Sequence, residues 1–347
     1  MKNSFLFILT LFPFVAASQV FTSTSTMFSS GTVLMTEKHV EYLKNSKTYF
    51  IVPDEMEADL GEITNILQKV WDFTEIKAIT VSGVDVIDDK RASFFNIAGY
   101  RNDDMFYILM RLSVYIPKGD PLFKKEGEQI FAGFYLSTDI SNFLAMFDIY
   151  TISGPEIMGY KINDENKTRQ QFTEFFYKKV SYNNFFWGQV RTYVAIINEN
   201  LHEATTRPRG AYGLFKVTDN EDLKNLKEAT LYVPDYLLKS KKALGRFVTE
   251  VNTTEAVLMA DYKYSYKMLP SSEISEIILG SDEPVYFLDF VCTSMNSFFV
   301  VYNSKSHKPV YAKLANGTVP SAKLFKELKA KIDAPVQQSG PPNPFRK

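Results

Sequence analysis

The chain has 347 residues, with 39 Lys and Arg against 40 Asp and Glu and a net charge of −1, so no global field favours nucleic acid or an anionic membrane, and neither partner is expected. Apolar residues make up 45% and charged residues 23%, which excludes disorder across the body of the chain. A lone cysteine, Cys292, excludes an intramolecular disulfide and any multi-cysteine zinc or iron–sulfur site.

At the start, Lys2, the apolar run Phe5 to Ala17 and the small residues Ala16-Ala17-Ser18 read as an export signal (residues 1–18), with cleavage before Gln19. The run is shorter than the ~20 residues of a membrane span, and Pro13 interrupts it, so no transmembrane span is expected after cleavage. Residues 48–52 then read as a strand stopped by Pro53. Asp54 and Glu57 have the spacing of a capping box before a helix with Ile63, Ile66, Leu67 and Val70 on one face. An extended run from Phe73 to Val81, a helical turn over 82–88, and strands at 94–98 and 106–115 follow, with Arg101 to Asp104 as hairpin material.

Next, Ile130 to Leu136 reads as one more strand, Ile140 to Phe147 as helix, and Thr168 to His202 as a helix in two pieces broken near Asn183-Asn184 or Gly188. The first order of elements then reappears. Val-Pro-Asp recurs 181 residues later at Val233 to Asp235; Phe94-Phe95 and Phe106 to Leu109 match Tyr286-Phe287 and Phe298 to Val301 at an offset of 192. The roughly eleven extra residues are expected in or just after the first helix of the second copy. This predicts an α/β (mixed α+β) fold of two similar β-α-β-α-β-β modules, residues 36–116 and 212–332, joined by a strand and helical segment, 117–211, and followed by a disordered tail, 333–347.

Chemistry is sparse. The histidines His39, His202 and His307 are far apart and form no metal-binding pair, so neither metal nor cofactor is expected. No nucleophile elbow, dinucleotide loop or phosphate loop occurs. Asp54 with Glu57, Asp88 with Asp89 and Asp103 with Asp104 are the paired carboxylates that could do acid–base work, but capping and solvated turns account for them. Cys292 ends an apolar run and reads as a buried, inert thiol. Arg207, Arg209 and Lys216 could receive an anion and read as a solvated connection; Trp187 and the aromatic share of 15% read as core. Asn166, Asn252 and Asn316 fit the glycosylation pattern, which matters only in a eukaryotic secretory route. No residue is assigned a catalytic role.

The opening Leu231 to Asp235, the run Tyr262-Lys-Tyr-Ser-Tyr266-Lys-Met, the helix start Ser271-Ser-Glu273 and the strand Pro284 to Leu288 leading to Tyr302-Asn-Ser-Lys305 resemble exported proteins of unknown function from Bacteroidota-type bacteria. The resemblance covers about a quarter of the chain and brings no site residues; it implies a Gram-negative exported protein, periplasmic or extracellular, as does the lack of disulfides. The expected function is non-catalytic: a soluble binding or assembly protein presenting sheet edges or an apolar groove to a protein partner. The alternatives are a hydrolase with a carboxylate site and a carrier of an apolar ligand between the modules, using Phe172 to Trp187.

Overall fold

Runs of β-branched and aromatic residues set the strands. In a computed structural model of the chain, which describes residues 19–22, 37–87, 91–102, 105–116, 119–120, 127–143, 174–206, 221–244, 247–294 and 296–335, the first elements are β1 (Val20–Thr22), α1 (Glu37–Lys44) and β2 (Lys47–Val52). A 3₁₀ turn (Asp54–Asp59) leads into α2 (Leu60–Gln68) and β3 (Ile76–Thr80). A second 3₁₀ turn (Ser82–Val86) precedes β4 (Ala92–Asn102), β5 (Met105–Ile116) and β6 (Gly127–Leu136). They form one sheet in the order β1-β6-β5-β4-β2-β3, with β2 parallel to β3 and β4 and the other pairs antiparallel.

Two readings change here. The strand assigned to the bridging segment, β6, belongs to the first sheet, because its apolar run pairs along the whole of β5. The capping box at Asp54 and Glu57 does not form. Asp54 Oδ1 instead accepts from Ser82 N at 2.9 Å, satisfying an otherwise free amide at the start of the next turn, and the chain winds as 3₁₀ before α2 begins.

The middle of the chain supplies helical residues 140–143, a π-helical turn (Phe175–Lys179) and α3 (Trp187–Thr206), with the break at 180–186, which includes Asn183-Asn184. After a 3₁₀ segment (Glu221–Lys227) come β7 (Leu231–Pro234), a short turn (Asp235–Leu238), the hairpin β8 (Lys239–Leu244) and β9 (Phe247–Asn252), and α4 (Glu255–Leu258). The second sheet is completed by β10 (Tyr266–Leu269), α5 (Ser271–Gly280), β11 (Tyr286–Cys292), β12 (Asn296–Asn303) and β13 (Lys308–Asn316), and α6 (Ala322–Asp333) closes the described chain.

The second sheet runs β10-β7-β11-β12-β13 and repeats the order β3-β2-β4-β5-β6, with the same parallel and antiparallel pairs and a bulge in the last pair of each. The chain is therefore an α/β protein with two similar modules. Where the first carries α2, the second inserts a hairpin and a one-turn helix, so the helix expected after Asp235 is only a short turn. Register also corrects the sequence offset. Phe50 faces Phe95 across β2 and β4, while Leu231 faces Tyr286 across β7 and β11, so Tyr286 is the counterpart of Phe95 rather than Phe94.

In this register, equivalent positions of the two sheets face different cores. Phe50 packs on Phe95 at 5.4 Å and on Trp187 of α3 at 5.8 Å; its counterpart Leu231 and Tyr286 point the other way, into a second core under α4 and α6. Residues one step along β11 and β12, among them Phe287, Val300 and Tyr302, share the main core with the first module and α3. The central helix thus covers non-equivalent faces of the two sheets. The arrangement is a head-to-tail tandem, not a twofold pair. Among the described residues no helix is long and apolar enough to cross a membrane.

Candidate functional site

Strand β11 reads Tyr-Phe-Leu-Asp-Phe-Val-Cys, and the two-residue period sends Leu288 and Phe290 to the second core and Phe287, Asp289 and Val291 towards α3. Asp289 is therefore a carboxylate inside the body of the protein, 3% exposed. Tyr193 Oη of α3 donates to its Oδ2, Gln19 Nε2 donates at 2.5 Å, and Asn184 Nδ2 approaches at 3.5 Å. Burial pushes the Asp289 carboxyl up to about 6 in spite of these donors. Burial likewise holds the Tyr193 phenol well above its ordinary value, with the Asp289 charge adding to it, so Tyr193 stays a donor.

Asn184 ties the cluster to the first module. Its Oδ1 accepts from Ser137 N at 2.8 Å and its Nδ2 donates to Tyr135 O at 3.0 Å. On the opposite side of β11, a cleft of about 110 Å³ opens between Ser137 to Ile140 of the first module and Tyr236 to Lys241 of the second, with Cys292 and Thr318 at its wall. Lys241 Nζ meets Asp139 Oδ2 at 2.7 Å across it. Burial acts upward on Asp139, but the hydrogen bonds from Lys241 and Ser141 outweigh it and hold this carboxyl below its usual value. Tyr236 Oη donates to Phe290 O at 3.0 Å, and Ser137 Oγ donates to the same carbonyl at 3.2 Å and accepts from Cys292 N at 3.3 Å. The Cys292 thiol lies 3.4 Å from Thr318 O and burial raises it to about 12, which keeps it protonated.

The structure scatters the residues singled out in the sequence. His39 on α1 sits edge-on to Phe131 at 5.8 Å. His202, near the end of α3, pairs with Asp72 at 2.7 Å. The turn between β12 and β13 holds His307. Asp72 is held below its usual value first by the Asn198 side chain and then by His202, and Asn198 Oδ1 also accepts from the amides of Asp72 and Phe73, so this exposed pair fastens α3 to the chain before β3. Trp187 packs on Phe50 and on Phe185 at 5.8 Å as interior aromatic. Asp88, Asp89, Asp103, Asp104, Asn166, Arg207, Arg209 and Lys216 lie outside the described residues, as does the tail beyond Pro335. Among the described residues no group of three or more His, Cys, Asp or Glu is placed to hold a metal ion.

By sequence, Asp289 and Tyr193 belong to no motif, Gln19 is only the residue after the expected cleavage point and Asn184 only part of a helix break. One signal for them was present: Asp289 is the only charged residue in the apolar run Val285 to Val291, and a charge at an inward position of a buried strand needs partners. Set against protein-family models, curated proteins and solved structures, the chain matches none of them.

Proposed function

We propose that this is an exported, non-catalytic binding or assembly protein of a bacterial envelope, engaging a protein partner through an open strand edge. The observation that carries the reading is the separation of the ionisable groups. Asp289, a carboxyl raised by burial, lies behind β11 away from solvent, and the ionisable groups lining the cleft in front of that strand are the paired Lys241 and Asp139, Lys239, and the Tyr236 phenol and Cys292 thiol that burial keeps protonated. Acid–base catalysis needs such groups to converge on one substrate. The cleft between the modules, about 110 Å³, is also well below the ~300–1,000 Å³ of small-molecule sites, and a wider one of about 490 Å³ lies on the second module alone among charged residues such as Lys263, Lys326 and Asp333, which counts against the carrier reading.

The strand edge is supplied by the β8–β9 hairpin. It forms a two-stranded sheet of its own, anchored on the β8 side by the Lys241–Asp139 pair and by Thr318 Oγ1 donating to Lys241 O at 3.4 Å. The outer strand β9 exposes Val248, Thr249 and Glu250 and joins no further strand among the described residues. An extended segment of a partner can add there through backbone hydrogen bonds. A photo-crosslinking side chain at Thr249, in the producing cell, is expected to capture one defined protein, and Val248→Pro is expected to abolish the adduct. No adduct at Thr249, or turnover of a glycoside or ester substrate that Asp289→Asn removes, would overturn the reading in favour of the hydrolase.

A further inference from the structure

Predicted leader cleavage leaves Gln19 as the first residue, and Gln19 is not at the surface, where chain ends usually lie. It has no exposed area. Its Nε2 reaches Asp289, its carbonyl accepts from Tyr135 N at 3.0 Å, and the residues after it pair with β6 from Val20 to Thr22. Its Oε1, also buried, accepts no hydrogen bond among the described residues. Among the described residues the side chains that hydrogen-bond to Asp289 are the uncharged Tyr193, Gln19 and Asn184, with the Phe290 backbone beside them. An interior carboxylate calls for a compensating positive charge, or for its own protonation.

We propose that the α-ammonium freed when the Ser18–Gln19 bond is cut supplies that charge, joining the Asp289 cluster and fastening β1 between the two modules. The proposal rests on the export reading. The step is peptide hydrolysis: the C–N bond breaks, water gives its hydroxyl to the Ser18 carbonyl and a proton to the Gln19 nitrogen, and a further solvent proton makes the ammonium. This nitrogen sits on the same Cα whose side chain already touches Asp289. Its three N–H groups suit both the carboxylate and the vacant Oε1. A bond flanked by a fully buried residue is closed to a peptidase once β1 has docked, so cleavage precedes docking, as it does for a chain cut while still unfolded. The other ionisable groups that feel Asp289 are Tyr193 on α3, Tyr236 after β7 and Cys292 on β11, all held protonated by burial.

The test compares chains beginning at Gln19 with a free or an acetylated amine, each with Asp289 or Asp289→Asn. At neutral pH, acetylation is expected to lower the Tm of the Asp289 chain by about 4 °C or more and to leave the Asp289→Asn chain unchanged. An equal shift in both, or none in either, would overturn the proposal. Should Asp289→Asn fail to fold, the carboxyl ¹³C titration of Asp289 decides: a lower midpoint with the free amine supports the proposal, and identical midpoints defeat it. Loss of one ammonia from the native chain, through cyclisation of Gln19 by attack of its nitrogen on its own side-chain carbonyl carbon, would also defeat it. The intact mass of the chain from the producing cell tests the export reading separately: residues retained before Gln19 overturn that reading and the proposal together, whereas a free Gln19 without an acetylation effect overturns the proposal alone.

Discussion

Asp289 shows how much one residue can set. In a chain whose Gln19 amine is blocked, its carboxyl is raised from 3.8 to about 6 by burial, so between pH 4 and 6 the folded state binds more protons than the unfolded one. Stability is then fully present below pH 4, falls as pH rises through this window, and stays lower above it, by about 3 kcal/mol in the limit. Asp289→Asn in the blocked chain is expected to flatten that slope, measured by urea unfolding at pH 4, 5, 6 and 7; a slope unchanged from the parent would show that another group titrates. Gly188 is as exacting for a different reason. A Cβ there would lie 2.6 Å from Ser275 O, beside the hydrogen bond that Gly188 N donates to Ser275 Oγ at 2.8 Å, so Gly188→Ala forces α3 and α5 apart. A loss of about 1–3 kcal/mol is expected, against no change if the helices part without cost. The sequence displayed Gly188 only as a helix interruption, since the close approach depends on a helix more than eighty residues away.

Strand and helix periods were legible because most elements bury a regular face: Phe50 and Val52 on β2, Ile63, Ile66 and Leu67 on α2, and Phe298, Val300 and Tyr302 on β12 all do so. The β8–β9 hairpin was not legible, because Lys239, Ser240, Lys241 and Lys242 bury no continuous face and the pairing is held by the backbone. The duplication could be read through the Val-Pro-Asp turns, yet aromatic pairs such as Phe94-Phe95 match Tyr286-Phe287 in either register, and only the pairing with β2 and β7 distinguishes them. The hairpin's anchorage is also an element-scale matter. Lys241 and Asp139 are each about one-third exposed, so solvent screens their attraction and the pair is worth no more than about 1 kcal/mol. Lys241→Ala is expected to leave global stability within that range while amide exchange in β8 and β9 accelerates at least several-fold. Exchange unchanged in the hairpin would mean that Thr318 and the neighbouring turn hold it alone.

At the scale of the whole molecule, the head-to-tail stacking makes α3 common property of two sheets. Val190, Tyr193, Val194, Ile196, Ile197 and Leu201 are all buried, which is the composition of a helix surrounded on every side. Tyr193 touches Phe134 of the first sheet at 4.8 Å and Tyr302 of the second at 5.7 Å. Neither module can keep α3 without exposing the surface it shares with the other. A fragment covering residues 221–335 would uncover Phe287, Val300, Tyr302, Ile274 and Ile278, a contiguous apolar face of the kind that drives association; adding residues 187–220 restores α3 but bares its opposite side. Both fragments are therefore expected to sediment as oligomers and to bind a hydrophobic dye, whereas the whole chain sediments as one species. In the whole chain, amide protection in β5 and in β12 is expected to disappear at the same urea concentration, because the core they share unfolds as a unit. Loss of β12 protection at a clearly lower concentration than β5, with the 221–335 fragment monomeric, would show instead that the second sheet and its own core under α6 stand independently, and that the tandem is an assembly of two separately stable parts.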